Sequence, residues 1–313
     1  MTDHFLTLDS LGSEGVREIL DLSHRFKREP GRHRGALAGG RVGMIFDKPS
    51  TRTRVSLEDA AWALGMLPIV LRPDELQLGH GETVADTARV LSRYLSALTI
   101  RTFAHARVEE LAAHSTIPII NALTDEHHPC QALADVMTLE EAFGELGSRR
   151  IAFVGDGNNV AHSLIQAAGY LGFTLVIATP EGYRPDPVIV AAARAHCAAG
   201  GGGIELVDDP REAVRGADAV YTDVWASMGK EHEREERRRI FAGYTVDPAM
   251  MAGAADGAIF LHCLPAHRGD EVTDEVMDGP WSRVWDQAEN RVYTEQAILY
   301  ALISGDRGGE RLG

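Results

Sequence analysis

The chain reads VGMIFDKPSTRTRVSLEDAAWALG from Val42 to Gly65, and this stretch determines the expected fold. Its first five residues, Val42–Phe46, form an apolar run that predicts a buried strand. Apolar residues then recur at helical spacing after the turn, and Gly65 ends the predicted helix. A second apolar run follows at Leu67–Leu71. A strand, a helix and a further strand in this order predict a unit of a parallel sheet.

The same alternation of strands and helices continues along the chain. We therefore expect an α/β fold with two open, mostly parallel sheets, each covered by helices on both faces. In the first half, the further predicted elements are strands at Leu98–Arg101 and Ile117–Asn121 and a helix at about Pro129–Phe143. In the second half, they are strands at Ile151–Val154, Leu175–Ala178, Ile204–Val207, Ala219–Thr222 and Ile259–Leu261 and a helix at Pro187–Ala198.

The length predicts two domains, because 313 residues exceed the usual domain size of about 100–200 residues. The charged stretch Glu145–Arg150 separates the two series of strands. We place the first domain at 1–146 and a second, Rossmann-like domain at 147–290. A last helix at about 291–304 carries apolar residues at helical spacing, and we expect it to pack back on the first domain.

The composition excludes several classes of function. A net charge of −15 disfavours nucleic acid and anionic membranes as partners. No apolar run approaches the roughly 18 residues that span a bilayer, and the N-terminus lacks the pattern of a signal peptide. Three cysteines without a CxxC pair are typical of a reducing compartment. We therefore expect a soluble, cytoplasmic protein.

The first candidate site is KPSTRTR at 48–54, where a helix begins directly after a strand. Free N–H groups and the positive end of the helix dipole bind anions at such a position. The hydroxyl groups of Ser50, Thr51 and Thr53 add donors, and Arg52 can grip phosphate oxygens in a bidentate fork. An ordinary N-cap with solvated arginines is the alternative, but arginines in a first turn oppose the dipole. The motif therefore predicts a phosphate site.

The second candidate site is DEHHPCQ at 125–131, which again joins a strand to a helix. His128 and Gln131 lie one helical turn apart, and Arg101 ends the preceding strand on the same edge. Ligands of parallel sheets collect at the carboxyl ends of the strands. We therefore expect these three side chains to face one crevice. A loop with a capping histidine is the alternative.

The third segment, VGDGNNVA at 154–161, is similar to a dinucleotide-binding turn, and Glu181 after the next strand is a candidate ribose ligand. However, Val160 occupies the position of the last glycine in that fingerprint, and a lone G-x-G is a weak signal. An NAD-dependent dehydrogenase is therefore a disfavoured alternative, which a cofactor titration would decide.

Two further segments follow strands of the second half. DVWASMG at 223–229 combines an acid at a strand end with a polar turn, which suits an amine and a carboxylate, although an ordinary loop is the alternative. HCLPAHRG at 262–269 places Cys263 at the end of an apolar strand, where a lone cysteine is commonly inert core. His262, Cys263 and His267 do not predict zinc, because adjacent strand residues face opposite sides and a fourth ligand is not evident.

Together and in this order, the five segments resemble the aspartate/ornithine carbamoyltransferase family over about residues 4–303. STRTR at 50–54 is similar to its carbamoyl phosphate motif, and HPCQ at 128–131 is similar to its second phosphate-domain motif. SMG at 227–229 and HCLP at 262–265 resemble the ornithine branch, since the aspartate branch has neither SMG nor that cysteine. The resemblance implies carbamoyl phosphate and L-ornithine as substrates and L-citrulline and phosphate as products.

The resemblance also implies roles for individual residues. Arg101 and His128 would contact the carbamoyl oxygen, and Gln131 would contact the carbamoyl nitrogen. Cys263 would line the path of the δ-amine. Gln77, in a polar loop, would enter the site of a neighbouring subunit in a homotrimer or a multiple of trimers. The remaining implied contacts are Ser50, Thr51, Arg52, Thr53, Gln77 and Arg291 for carbamoyl phosphate, Asn159, Asp223, Ser227 and Met228 for the α-amino and α-carboxylate groups of ornithine, and Leu264 beside the δ-amine.

The implied reaction requires no metal and no organic cofactor. The neutral δ-amine attacks the carbamoyl carbon, preorganised positive donors stabilise the tetrahedral oxyanion, and phosphate leaves. The main alternative is a carbamoyltransferase for another amine, such as putrescine or an acylated ornithine. Asn159, Asp223 and Ser227 favour a free α-amino acid, because putrescine has no carboxylate to bind. A non-catalytic relative is disfavoured because the implied catalytic residues are intact.

Overall fold

The computed structural model describes residues 4–72, 74, 76, 81–226 and 231–306. The chain divides into two compact units. The first unit comprises Met1–Met137 and Glu289–Gly313, and the second comprises Thr138–Ala288. Each unit is built on one parallel sheet.

The sheet of the first unit has four strands, β1 (Arg41–Phe46), β2 (Leu67–Leu71), β3 (Ala97–Arg101) and β4 (Ile119–Leu123). Their order is β2-β1-β3-β4, and all of these pairings are parallel. The carboxyl ends of β1, β3 and β4 therefore lie at one edge. The helices that begin in this unit are α1 (Gly12–Arg28), α2 (Thr51–Ala63), α3 (Val84–Leu91), α4 (His105–His114) and α5 (Pro129–Phe143).

The apolar sequence of β3 explains why it is an inner strand. All five of its residues are buried, as expected for a parallel strand that is covered on both faces. Leu98 and Ile100 pack in one cluster with Ile45 of β1 and with Val108 and Leu111 of α4. Full burial of each side chain of this type contributes about 1.5–3 kcal/mol. This cluster holds the strand ends that carry the candidate phosphate residues.

The sheet of the second unit has five strands, β5 (Arg150–Val154), β6 (Thr174–Ala178), β7 (Gly203–Val207), β8 (Ala219–Thr222) and β9 (Ile259–His262). Their order is β7-β6-β5-β8-β9. β6 and β7 therefore lie on one side of β5, and β8 and β9 lie on the other, so the strand order reverses between the neighbours β5 and β8. Such a reversal opens a crevice at the carboxyl ends of the strands. The further helices are α6 (Asn159–Leu171), α7 (Pro187–Gly200), α8 (Pro210–Val214), α9 (Arg234–Ile240), α10 (Pro248–Met251), α11 (Asp274–Met277) and α12 (Val284–Ser304).

The predicted fold class is confirmed, but several predicted boundaries differ from the structure, and two of them have a clear physical reason. β4 begins at Ile119 rather than at residue 117, because Pro118 has no N–H to donate to the sheet. α12 begins at Val284 rather than at residue 291. Two residues near its start, Gln287 and Asn290, are buried but polar. Apolar periodicity therefore does not reveal this part of the helix. Within the described residues, no helix combines the length and the apolar character needed to cross a membrane.

Candidate active site

The start of α2 forms the first part of the candidate site. Ser50 is the N-cap, and its Oγ accepts a hydrogen bond from the N–H of Thr53 at 3.3 Å. The first turn contains no acidic residue, so the positive end of the helix suits an anion. Thr51 is exposed and Arg52 is half-buried. Arg54 instead pairs with an acid one turn later on the surface.

Arg101 and His128 lie at the same edge of the first sheet as the start of α2. Arg101 is the last residue of β3 and pairs in register with Phe46, the last residue of β1. His128 immediately precedes α5, which follows β4. The two side chains are buried, at 8% and 4% exposure. The parallel topology thus brings together three segments that are far apart in the sequence.

Arg291, on α12, connects residues of α2 and α5 within the first unit. Its Nη2 donates to Oγ1 of Thr53 at 3.1 Å, and its Nη1 donates to Oε1 of Gln131 at 3.2 Å. Nη2 also pairs with Oε1 of Glu295 at 2.7 Å. Gln131 is fully buried and donates from Nε2 to Oδ1 of Asp135 at 3.0 Å. Arg291 and Gln131 were predicted from the sequence, whereas the two buried acids, Glu295 and Asp135, were not. The only local signal of each acid is its spacing of four residues along a helix.

The imidazole of His128 is neutral at physiological pH. Burial is the main reason that its pKa lies well below the ordinary value of 6.5, and the positive charges of Arg291, Arg101 and Arg52 lower it further. The site thus combines three guanidinium groups with a neutral imidazole. Such a set can bind an anion and can stabilise a developing oxyanion by charge and by hydrogen bonding.

Asp223 is the centre of a second set of polar groups, in the second unit. Its Oδ2 accepts a hydrogen bond from Nδ2 of Asn158 at 2.7 Å, and its Oδ1 accepts from the N–H of Val224 at 2.8 Å. Oδ1 also accepts from Sγ of Cys263 at 2.9 Å. Asn158, Asp223 and Cys263 follow β5, β8 and β9, which are neighbours in the sheet. A buried carboxylate at this edge suits an ammonium group.

Asn158 is the contact of Asp223 that sequence analysis missed. It precedes the predicted Asn159 and is the N-cap of α6, where its Oδ1 accepts from the N–H groups of Val160 and Ala161. Its amide therefore fixes the start of a helix and the orientation of a carboxylate at once. Asn159 is the first residue of α6, and its side chain is buried. The N-cap preference for asparagine is the signal that identifies Asn158.

The glycine-rich turn after β5 is packed against protein. The N–H of Gly157 donates to the carbonyl oxygen of Tyr183 at 2.8 Å. A Cβ at Gly157 would lie 2.3 Å from the backbone nitrogen of Pro185, so only glycine fits there. The close approach that this glycine permits is to the segment 183–185, which explains the turn without a dinucleotide. Glu181, the candidate ribose ligand, is exposed.

His262 has a structural role that argues against zinc. Asp223, His262 and Cys263 place potential ligand atoms within 4.8 Å of one another. However, Nδ1 of His262 accepts from the N–H of Leu264 at 2.8 Å, and Nε2 lies 3.2 Å from Oε1 of Glu271. Since both ring nitrogens are engaged within the protein, this donor set does not fit the metal. The same contact holds Leu264 at a φ of 60°, which is uncommon for a residue other than glycine.

Three predicted site residues lie outside the described residues: Gln77, Ser227 and Met228. The chain just before the last two is held by Arg237, which sequence analysis also missed. Nη1 of Arg237 donates to the carbonyl oxygen of Trp225 and to Oδ2 of Asp156, each at 2.6 Å. Arg237 therefore ties the segment after β8 to the turn after β5.

Both halves of the chain match models of known families. Residues 3–141 match the model described as aspartate/ornithine carbamoyltransferase, carbamoyl-P binding domain. Residues 148–302 match the model described as aspartate/ornithine carbamoyltransferase, Asp/Orn binding domain.

Individual relatives are similar over almost their full length. An ornithine carbamoyltransferase from Acidothermus cellulolyticus is 51% identical over 310 residues, which cover 98% of this chain and 99% of that protein. The solved ornithine carbamoyltransferase from Pyrococcus furiosus is 49% identical with a TM-score of 0.94, over 97% of this chain and 98% of that one. The solved anabolic ornithine carbamoyltransferase from Campylobacter jejuni is 37% identical with a TM-score of 0.92, over 97% of this chain and 100% of that one.

Proposed function

This chain belongs to the aspartate/ornithine carbamoyltransferase family, and we propose that it transfers the carbamoyl group of carbamoyl phosphate to the δ-amine of L-ornithine. The products are L-citrulline and phosphate. Relatives with the ornithine name and about half of the residues identical support this branch of the family. Relatives named as anabolic support the citrulline-forming direction.

The observation that carries the proposal is the set of three arginines around a neutral histidine. Arg52 lies at the positive end of α2, and Arg101 and Arg291 are buried. Burial lowers the pKa of His128 below its ordinary range, and the charges of these arginines lower it further. A dianionic substrate would offset the concentration of positive charge, and a neutral imidazole can still donate a hydrogen bond to a carbonyl oxygen.

We assign the phosphate group of the substrate to the start of α2. Ser50, Thr51, Arg52 and Thr53 would bind its oxygens through hydroxyl, N–H and guanidinium donors. Arg101 and His128 would hold the carbamoyl oxygen, on which negative charge develops during attack. The carbonyl oxygen of Gln131 would accept from the carbamoyl nitrogen, and Arg291 would hold that amide in place, as its 3.2 Å contact supports.

We assign the amino acid to the residues around Asp223. Its carboxylate, with Asn159, would bind the α-ammonium group, while Ser227 and Met228 would contact the α-carboxylate. Cys263 and Leu264 would line the path of the δ-amine. The 2.9 Å contact between Sγ of Cys263 and Oδ1 of Asp223 supports this assignment, because it places the thiol next to the carboxylate that would bind the α-ammonium group of the same ligand.

The chemistry follows from these two assignments. The neutral δ-amine attacks the carbamoyl carbon, and the bond from that carbon to the phosphate oxygen then breaks. The carbamoyl oxygen carries the charge of the tetrahedral intermediate, where Arg101 and His128 stabilise it. The amine loses one proton to the surroundings as phosphate leaves. Binding both reactants removes much of the entropic cost of their encounter.

We also propose a cytoplasmic homotrimer, or a multiple of trimers, in which Gln77 enters a neighbouring subunit's site. Large apolar side chains on and after α2 are exposed in the single chain, namely Val55 at 58%, Trp62 at 60% and Leu67 at 58%. Exposed apolar surface of this kind commonly marks a contact between proteins. Residues 1–146 would form the carbamoyl phosphate domain, joined by the helix at about 291–304, and 147–290 the ornithine domain.

The proposed specificity is tested by comparing acceptors at a fixed concentration of carbamoyl phosphate. Initial rates are measured with L-ornithine, N-acetylornithine, putrescine and L-aspartate, in the presence of a chelator. Ornithine should have the highest kcat/KM by more than about a hundredfold, because a site built for a polar group rejects analogues that lack it. Faster turnover of putrescine or of the acylated amine would overturn the assignment.

A further inference from the structure

Glu295 is a buried acid next to the candidate phosphate site. Its side chain is 1% exposed, and that of its partner Arg291 is 3% exposed. Burial raises the pKa of Glu295, while Arg291 and Ser56 act in the opposite direction. A carboxylate is unfavourable in such surroundings unless a cation and hydrogen bonds compensate for the loss of water. Its location therefore indicates a function that is tied to Arg291.

The contacts of Arg291 continue into a chain of hydrogen bonds with a fixed direction. Nη1 of Arg291 donates to Oε1 of Gln131 at 3.2 Å, and Nε2 of Gln131 donates to Oδ1 of Asp135 at 3.0 Å. An arginine only donates. The amide of Gln131 therefore cannot turn over without losing its hydrogen bond from Arg291. Its carbonyl oxygen stays on the side of the arginine.

Glu295 fixes the start of this chain. Nη2 of Arg291 is held between Oε1 of Glu295 at 2.7 Å and Oγ1 of Thr53 at 3.1 Å. A guanidinium group is planar and rigid, so the placement of Nη2 also determines where Nη1 points. If Glu295 is removed, one of these two contacts of Nη2 remains, which is the contact with the neutral hydroxyl group of Thr53.

We propose that Glu295 is a positioning residue, which holds Arg291 so that this arginine orients the amide of Gln131 toward the carbamoyl group. The inference rests on the proposed carbamoyl phosphate site but not on ornithine as the acceptor. A purely structural ion pair would stabilise the fold without affecting one part of the ligand more than another. A positioning role predicts selective loss of recognition of the carboxamide portion, because the proposed site for the phosphate group is the start of α2.

Two stable ligands separate these possibilities by calorimetry. Phosphonoacetamide carries both a phosphonate and a carboxamide, whereas methylphosphonate lacks the carboxamide. The ratio of their Kd values measures how much the carboxamide contributes. Glu295→Ala removes the acid, and Glu295→Gln keeps an acceptor for Arg291 without the charge. Asn290→Ala is the matched control, because Asn290 is buried on the same helix and accepts a hydrogen bond from Lys27 at 2.7 Å.

Glu295→Ala should reduce the preference for phosphonoacetamide by up to about tenfold, the equivalent of one hydrogen bond between neutral groups. Methylphosphonate should bind within about threefold of the wild type or more tightly, since the site gains net positive charge. Glu295→Gln should recover most of the preference, and Asn290→Ala should retain all of it. Citrulline formation by Glu295→Ala should fall as well, by about ten- to a hundredfold in kcat.

Several results would overturn the inference. An unchanged preference in folded Glu295→Ala would show that Arg291 is positioned without the acid. Equal weakening of both ligands, in Glu295→Ala and Asn290→Ala alike, would show a structural role only. If Glu295→Ala does not fold, Glu295→Asp replaces it, because the shorter side chain keeps the charge but withdraws it from Arg291; an unchanged preference there also refutes the proposal. If the wild-type protein prefers phosphonoacetamide but forms no citrulline, the proposed acceptor ornithine is contradicted instead.

Discussion

Substitution of Asn158 should weaken the use of ornithine and leave carbamoyl phosphate binding intact. Nδ2 of Asn158 donates to Oδ2 of Asp223 at 2.7 Å, and its Oδ1 caps α6. Two functions therefore meet in one side chain, and different substitutions separate them. Asn158→Ser keeps a good N-cap but cannot reach Asp223. Asn158→Asp keeps the cap and places a second negative charge beside that carboxylate.

The magnitude follows from the type of hydrogen bond. A hydrogen bond to a charged group contributes about 1.5–3 kcal/mol, which corresponds to about ten- to 150-fold in a rate or binding constant. Asn158→Ser should therefore lower kcat/KM for ornithine by about that factor, because Asp223 loses its fixed orientation. Asn158→Asp should lower it further, since like charges repel at this distance. Asn158→Ala should also cost about 0.5–2 kcal/mol of stability through the lost cap.

The assay is steady-state citrulline formation with ornithine varied at saturating carbamoyl phosphate, together with thermal unfolding. Asn158→Ser should keep a Tm near that of the wild type, which excludes a general loss of structure, and KM for carbamoyl phosphate should stay within about twofold, because the substitution lies outside the phosphate set. A kcat/KM for ornithine that also stays within about twofold in Asn158→Ser would refute the reasoning, because the estimated contribution of this hydrogen bond is far larger.

Further predictions concern the phosphate site, the thiol and pH. Arg52→Ala should lower kcat/KM for carbamoyl phosphate by about ten- to a hundredfold through loss of a charge-assisted contact; an unchanged value would leave only an N-cap. Cys263→Ser should raise KM for ornithine more than KM for carbamoyl phosphate, and an equal change in both would contradict its assignment to the amine path. Because the pKa of His128 is lowered well below 6.5, the unfolded chain binds more protons than the folded one between that lowered value and 6.5. Wild-type Tm should therefore fall as pH drops below about 6.5, and a flat Tm profile, or an equally steep one in His128→Asn, would count against a buried neutral imidazole. Activity at low ornithine should rise from about pH 6.5 to 9 as more amine becomes neutral, and a flat profile with chemistry rate-limiting would contradict direct attack.

The strand ends that carry the candidate site could be predicted from the sequence. Apolar runs followed by polar motifs identify positions such as Arg101 and Asp223, because parallel topology places the carboxyl ends of strands at one edge. Arg101 is the last residue of β3, and Asp223 directly follows the last residue of β8. The local pattern is sufficient here, because any residue at the carboxyl end of a strand in these sheets lies at the edge where the site forms.

The contacts that orient the site could not be predicted in the same way. Arg291 and Thr53 are separated by 238 residues in the sequence and meet at 3.1 Å. No local pattern shows which of the many arginines will be buried beside that hydroxyl group. Glu295 and Asp135 have the same difficulty, because acids on helices are usually solvated. Their burial becomes evident only when α2, α5 and α12 are seen to share these side chains.

Analysis of the products from carbamoyl phosphate labelled with ¹³C in the carbamoyl group tests the central claim most directly. The purified chain is incubated with the labelled compound and L-ornithine, with a chelator present, and the products are followed by ¹³C NMR and by phosphate release. We expect the label to appear in the ureido carbon of citrulline, with one equivalent of phosphate released for each citrulline formed. Release of phosphate without labelled citrulline, or transfer only to an amine other than ornithine, would contradict it.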